Sequence, residues 1–118
     1  MRLVIALLSL VVAGVASAEP LNSTEWKREA AYGVLLLLDY GQTLDIKNHP
    51  GMYERNPILG DHPSDARIRN YFLALGAGHL AVTYLLPREY RGYWQYFTIG
   101  VQTGYVANNY SIGLRLDF

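Results

Sequence analysis

Apolar residues recur at helical spacing in three stretches of the chain, and each stretch also carries polar side chains along one face. Residues that favour helix starts precede the first two stretches, and Pro87 ends the second. The pattern predicts three helices, a connecting loop and a C-terminal tail. The expected bounds are about 23–46, 64–86 and 89–109 for the helices, 47–63 for the loop and 111–118 for the tail.

The first segment, residues 1–18, is typical of an export signal. Arg2 precedes an apolar run, and small residues follow at Ala16 and Ala18. This order matches the charged, apolar and small-residue regions of a cleavable signal peptide. An uncleaved anchor is the alternative, but the run is short for a span, which needs roughly 20 residues. We therefore expect cleavage after Ala18 and a single helical domain over residues 19–118.

The first helix carries a polar row that needs partners. Four consecutive leucines, Leu35–Leu38, are followed within two turns by Asp39, Gln42 and Thr43. Residues three or four apart lie on the same helix face, so these polar side chains point in similar directions. In an apolar helix, such a row requires hydrogen-bonding groups from neighbouring helices.

Suitable partners stand on the other two helices, with His79 on the second and Thr98 and Gln102 on the third. Counting inward from the helix ends at about 1.5 Å per residue places Asp39 level with Gln102, and His79 level with Thr98. We therefore expect an interhelical seam of these two pairs. The seam could serve packing alone, or it could be a proton or ion site, since ionisable groups at membrane depth are functional candidates.

Small residues recur four apart on the second and third helices. Gly100 and Gly104 form a G-x-x-x-G pair, and Ala74 and Gly78 repeat the spacing. Such ridges let helix backbones approach closely in lipid. We therefore expect helix packing at these positions.

The composition narrows the class of protein. The formal net charge is zero and cysteine is absent, which argues against nucleic-acid binding and excludes disulfides and thiolate chemistry. Ten tyrosines and two tryptophans are many for 118 residues, and such rings collect at membrane interfaces. The mean hydropathy is only +0.05, so a membrane location depends on how the apolar residues are grouped.

Together these features predict an all-α fold, a three-helix membrane bundle after an N-terminal signal peptide, with a short extended C-terminal tail. Residues 111–118, SIGLRLDF, alternate strictly between apolar and polar, as a strand does. An isolated strand is not stable. The tail should therefore lie along an interface or pair within an oligomer.

The loop contains a second group of notable residues, Glu54, Asn56, Pro57 and Gly60. Asn56 can cap a single turn begun by Pro57, and Gly60 can end that turn. Histidines and carboxylates are also present in the loop, but their spacing matches no recognised metal motif. Neither a metal nor a cofactor is predicted.

The pairing of D-x-x-Q-T, at Asp39, Gln42 and Thr43, with E-x-N-P-x-L-G, at residues 54–60, resembles small uncharacterised bacterial and phage-encoded proteins. Those proteins are predicted to be exported or membrane-bound. The resemblance covers most of the chain after the signal, including L-P-x-x-Y-R at residues 86–91. It implies a class and a location, and it implies no activity.

The sequence favours a non-enzymatic inner-membrane protein, an envelope accessory or regulatory protein that contacts lipid and either a second copy or another membrane protein. Nucleic acid is not an expected partner. One alternative is a periplasmic helical domain that binds a lipid or a small apolar ligand. A second is a membrane enzyme or proton-coupled site that uses Asp39, Glu54 and His79, although no nucleophile motif such as G-x-S-x-G occurs.

Overall fold

The computed structural model describes residues 18–118, and this part of the chain is all-α. The helices are α1 (Ser23–Asp45), α2 (Asp65–Leu85) and α3 (Arg88–Ser111), with one turn of 3-10 helix at Ile46–Asn48. The predicted all-α, three-helix architecture is confirmed, and each helix ends within two residues of its expected bound. Residues 1–17 lie outside the described residues, and with them nearly all of the predicted signal peptide.

Local capping explains where the helices begin. Asn22 accepts a 2.8 Å hydrogen bond from the backbone N–H of Glu25, whose side chain accepts one of the same length from the Asn22 backbone. This reciprocal capping box satisfies two donors at the start of α1. Ser64 caps α2 through the Arg67 backbone N–H, and Pro87 separates α2 from α3 because the residue before a proline is forced out of helical geometry.

α1 and α3 run parallel, and α2 runs antiparallel to both. Glu25 near the start of α1 contacts Arg91 near the start of α3, and Asp39 contacts Gln102 further along both helices. The reversed direction of α2 places His79, near its end, against Glu29 near the start of α1. α1 is therefore the helix that both others pack against.

The apolar core is small and lies toward the loop end of the bundle, between α1, α2 and the loop. Its main members are buried side chains of two helices and one loop residue: Tyr32, Leu36, Leu44, Leu59, Ile68 and Phe72. The tail has one buried apolar residue of its own, Leu114, which is not part of this core.

The small residues expected at helix contacts face outward instead. Gly100, Gly104, Ala74 and Gly78 are exposed, and a Cβ at any of the three glycines would meet no neighbouring atom of the described chain within 4 Å. The expectation of helix packing at these positions is wrong within residues 18–118. The polar faces of α2 and α3 turn toward α1, so the small residues on the opposite faces turn away.

The tail docks onto α1 without forming a strand, and residues 18–118 contain none. The backbone N–H of Asp117 donates to the Gly41 carbonyl over 3.1 Å, and the Phe118 ring lies against the α1 backbone at Gly41. A side chain at position 41 would occupy the space of that ring. Two of the alternating apolar residues, Leu116 and Phe118, therefore lie against α1 at Gly41.

The outer surface of the bundle is rich in large apolar and aromatic side chains. Tyr93 is 78% exposed, Phe97 is 70% exposed and Leu73 is 64% exposed. Within residues 18–118, no helix combines the length and the apolar character that crossing a membrane requires.

Candidate functional site: a buried polar seam and an adjoining cavity

Polar side chains fill the interior of the bundle along the contact between α1 and α3. We call this the polar seam, and it also takes in two residues of α2. In the described chain, every fully enclosed side-chain nitrogen and oxygen has a hydrogen-bond partner. The buried polar residues are Glu25, Gln42, Thr43, Asp45, His79, Thr83, Arg91, Gln95 and Gln102.

The first part of the polar seam is an ion pair between Glu25 and Arg91, each only 1% exposed. Arg91 Nη1 lies 3.2 and 3.3 Å from the two Glu25 carboxylate oxygens. The remaining guanidinium N–H groups donate to the backbone carbonyls of Leu86, Tyr84 and Glu19. A buried charge is tolerated only when it is paired and hydrogen-bonded, and Arg91 meets both conditions.

The middle part of the polar seam joins Glu29, His79 and Thr98. His79 Nδ1 lies 3.0 Å from Glu29 Oε2, and His79 Nε2 lies 2.7 Å from Thr98 Oγ1. The imidazole ring is stacked between Tyr32, at 3.6 Å between centroids, and Trp94, at 4.9 Å. A carboxylate, an imidazole and a hydroxyl thus follow one another as in a nucleophile relay.

The hydrogen-bond partners of Thr98 and the access to His79 determine whether this relay could act on a substrate. The Thr98 hydroxyl also lies 2.8 Å from the Trp94 carbonyl of its own helix. When the Nδ1–H of His79 donates to the Glu29 carboxylate, Nε2 is an acceptor, and the Thr98 hydroxyl can donate to it. The imidazole is buried and its two faces are covered by aromatic rings, so a substrate has no approach to His79 in this conformation.

The last part of the polar seam centres on Asp39. Gln102 Nε2 donates to Asp39 Oδ2 over 2.6 Å, and Asn109 Nδ2 donates to Oδ1 over 2.9 Å. Gln42 lies beside them, accepting from Asn109 and donating to the Val106 carbonyl. Thr43 donates over 2.8 Å to the Asp39 backbone carbonyl. All the donors to the Asp39 carboxylate are therefore neutral groups.

Both pairs expected from the depth of the residues, Asp39 with Gln102 and His79 with Thr98, are within hydrogen-bond distance. The carboxylate beside His79 is Glu29, which the sequence analysis did not include in the seam. Glu25 and Arg91 were also absent from the predicted site. One signal could have found the acidic pair, since positions 25, 29, 32, 36, 39 and 43 of α1, which are all buried or partly buried, follow alternating spacings of four and three.

A cavity of about 700 Å³ opens beside the last part of the polar seam. Asp39 and Thr43 line it from α1, while Glu54, Asn56 and Pro57 line it from the loop. The two sequence motifs therefore converge on one space. We call it the Asp39–Glu54 cavity.

Hydrogen bonds hold the loop side of the cavity in place. Asn56 Oδ1 accepts from the Ile58 backbone N–H over 3.0 Å, and Asn56 Nδ2 donates to the Tyr71 hydroxyl over 2.9 Å. Gly60 has φ of +82°, a conformation that side chains disfavour, and it ends the turn. The turn predicted at Asn56, Pro57 and Gly60 is present, and the hydrogen bond from Asn56 to Tyr71 joins it to α2.

A separate cluster closes the end of α1. Hydrogen bonds from the Asn48 side chain, the Arg115 backbone N–H and the His49 ring hold the pKa of Asp45 at about 2. Lys47 lies 2.9 Å from Asp65, and this hydrogen bond raises the pKa of Lys47. Within residues 18–118, no three histidine or acidic side chains come together in a way that could hold a metal ion.

Comparisons of the chain with protein-family models, with curated proteins and with solved structures find no match. The function proposed below is therefore argued from the polar seam, the cavity and the outer surface alone.

Proposed function

We propose that this chain is a small integral inner-membrane protein of the cell envelope that acts by binding rather than by catalysis. The observation that carries the proposal is the inverted distribution of side chains. Charged and amide groups such as Glu25, Arg91 and Gln95 are buried, whereas Phe97 and Leu73 are mostly exposed. In water this arrangement would leave apolar area exposed, but in lipid the exposed groups would face hydrocarbon.

The position of charged residues along the helices supports the proposal. Residues 92–114 contain no charged side chain, and the helical part of this range is about 30 Å long, close to the thickness of a bilayer core. Between Arg69 of α2 and Arg88 of α3, the chain contains no Asp, Glu, Lys or Arg and one histidine, His79, which is buried. The two acidic groups at depth on α1, Glu29 and Asp39, take part in the polar seam.

We call the part of the bundle level with residues 92–114 the uncharged belt. Aromatic side chains stand at both of its ends. Because α2 is antiparallel to the other helices, its last turns lie at the end where α1 and α3 begin. Trp and Tyr favour the two membrane interfaces, where a ring can be apolar on one side and hydrated on the other. The exposed rings include Trp26, Tyr84 and Tyr90 at one end, and Tyr53, Tyr105 and Tyr110 at the other.

The leucine run of α1 also fits a lipid-facing helix. Leu36 is buried, but Leu37 is 54% exposed, and Leu35 and Leu38 are only partly covered. A helix enclosed by a water-surrounded core would bury most of such a run.

The proposal that the protein binds rather than catalyses is supported by the covered position of His79 in its relay-like arrangement with Glu29 and Thr98.

Carbonate extraction of membranes from expressing cells tests the membrane proposal. We expect the native chain to stay in the pellet. Leu73→Arg and Phe97→Arg should each release much of the protein, because an arginine at the centre of a span costs about 2.5–3.5 kcal/mol of insertion free energy. Ile58→Arg is the matched control, since Ile58 is equally exposed but lies in the loop. Release of the native chain would instead favour the periplasmic alternative.

A second role is supported by the Asp39–Glu54 cavity. Its volume lies within the range of small-molecule sites, which is about 300–1,000 Å³. Polar groups of both motifs converge on it, and apolar side chains complete its walls. Binding of a small ligand is the activity that best accounts for a cavity with this volume and this combination of polar and apolar walls.

A further inference from the structure

We infer that the Asp39–Glu54 cavity binds an organic ammonium group, carried either by a free amine or by a lipid headgroup. The inference rests on the ligand-binding role proposed for this cavity and gives that ligand its chemistry. It does not depend on whether the chain lies in a membrane.

Two carboxylates, Asp39 and Glu54, line the cavity. The donors to Asp39 are the amides of Gln102 and Asn109 and the hydroxyl of Thr43. Glu54 accepts from the Asn56 backbone N–H over 3.0 Å. Within residues 18–118, neither carboxylate forms an ion pair. A partly buried carboxylate without a counter-charge gains from a cation that enters the site.

The walls of the cavity favour an organic cation over a metal ion. Tyr53, Tyr71, Phe72 and Tyr105 bring four aromatic rings to the lining. Aromatic faces attract ammonium groups, and such contacts are stronger where water is excluded. A divalent metal would need several oxygen ligands at short range, whereas the cavity supplies two carboxylates on separate elements.

The other residues that line the cavity indicate which further chemical groups the ligand would carry beside its ammonium. Arg55 is exposed at the same cavity and supplies a guanidinium, which suits a phosphate. Leu59 and Leu75 give apolar surface for a carbon chain. A phosphoethanolamine group contains the ammonium and phosphate that these charges fit, and it occurs both as a free compound and as a lipid headgroup.

Calorimetric titration of the full chain in dodecyl maltoside tests the inference with three probes. They are O-phosphoethanolamine, dihexanoyl phosphatidylethanolamine and, as the control, dihexanoyl phosphatidylglycerol, which lacks the ammonium. We expect saturable binding of at least one ammonium probe and at least tenfold weaker binding of the control. Binding of phosphoethanolamine itself would show that the headgroup suffices. Binding of only the ammonium lipid would show that acyl chains contribute.

Two variants locate the binding. Asp39→Asn and Glu54→Gln should each weaken the ammonium probe by about tenfold or more, because each removes a charge from the ligand contact. Glu89→Gln, an exposed site at the opposite end of the bundle, should bind as the native chain does. Thermal unfolding of each variant separates a lost contact from a lost fold, and Glu54→Gln lies in the loop, outside the polar seam.

Three results would overturn the inference. They are the absence of saturable binding by either ammonium probe, equal binding of the phosphatidylglycerol control, and undiminished binding by both variants. A chain that carbonate releases but that still binds the ammonium probe through Asp39 would overturn the membrane proposal alone. The two proposals therefore fail on different measurements.

Discussion

Gln102 of α3 donates to the carboxylate of Asp39 of α1 over 2.6 Å, the shortest of the contacts to that side chain. The bond joins two parallel helices whose contact is polar along most of its length. Hydrogen bonds to a charged group stabilise more than bonds between neutral groups. The pair is therefore a direct test of whether the polar seam holds α1 to α3.

Replacing Gln102 by leucine should lower the free energy of unfolding by about 2 kcal/mol, because a carboxylate loses its closest donor. Thermal unfolding in a mild detergent, followed by circular dichroism, measures the change. Thr103→Val is the control, since that exposed hydroxyl bonds only to its own helix. If the Gln102→Leu protein is as stable as the control, the polar seam does not contribute to holding α1 and α3 together.

Arg91 and Arg88 should differ sharply when either is replaced by methionine. Arg91→Met leaves Glu25 without its buried partner and should cost about 3 kcal/mol of stability. The Arg88 side chain is 41% exposed, and Arg88→Met should cost under about 1 kcal/mol. Parallel unfolding measurements on the two variants decide the matter. Similar losses for both would mean that burial does not determine the strength of these ion pairs.

Stability should fall in acid through Asp45, which ends α1 outside the uncharged belt. Its pKa of about 2 in the folded chain lies below the value of about 3.9 for an unfolded aspartate. The contribution of Asp45 to stability is therefore complete above about pH 4 and is lost as the pH falls toward 2. Asp45→Asn should be less stable at neutral pH and should lose part of the acid dependence of the melting temperature.

The melting temperatures of the native chain, Asp45→Asn and Asp65→Asn between pH 2 and 6 provide the comparison. Asp65 lies at the same end of the bundle but is bonded to the exposed Lys47. We expect Asp65→Asn to follow the native curve. An Asp45→Asn curve parallel to the native one would contradict the assigned hydrogen-bond cluster.

Gly41 should be sensitive to a single added methyl group. A Cβ there would lie 2.7 Å from the Phe118 ring, so Gly41→Ala should displace the tail from α1. Hydrogen exchange at residues 114–118 should then become faster. Gly33→Ala is the matched control, because its Cβ would meet no neighbour within 4 Å, and it should stabilise α1 by up to about 1 kcal/mol. Unchanged exchange in Gly41→Ala would show that the tail is not held there.

Sequence reasoning predicted the helices well because their limits are set locally. Asn22 and Ser64 cap their own helices, and Pro87 breaks the chain regardless of tertiary structure. The pairing of Asp39 with Gln102 was also predictable, since depth along a straight helix depends only on residue number. These features need no knowledge of how the helices are rotated about their axes.

The partner of His79 could not be predicted in the same way. Glu25 and Glu29 stand near the start of α1, where acidic residues are favourable without any distant contact. Because this local role already explained both residues, their long-range bonds to Arg91 and His79 were not predicted. The alternation of the tail was equally ambiguous, because docking onto Gly41 and pairing with a strand produce the same pattern.

During synthesis, α1 is complete well before the α3 residues that bind its carboxylates are made. Arg91 lies 66 residues after Glu25, and Gln102 lies 63 residues after Asp39. Until α3 has left the ribosome, Glu25 and Asp39 lack the donors that this helix supplies. The last helix to be made therefore determines when the first can complete its hydrogen bonds.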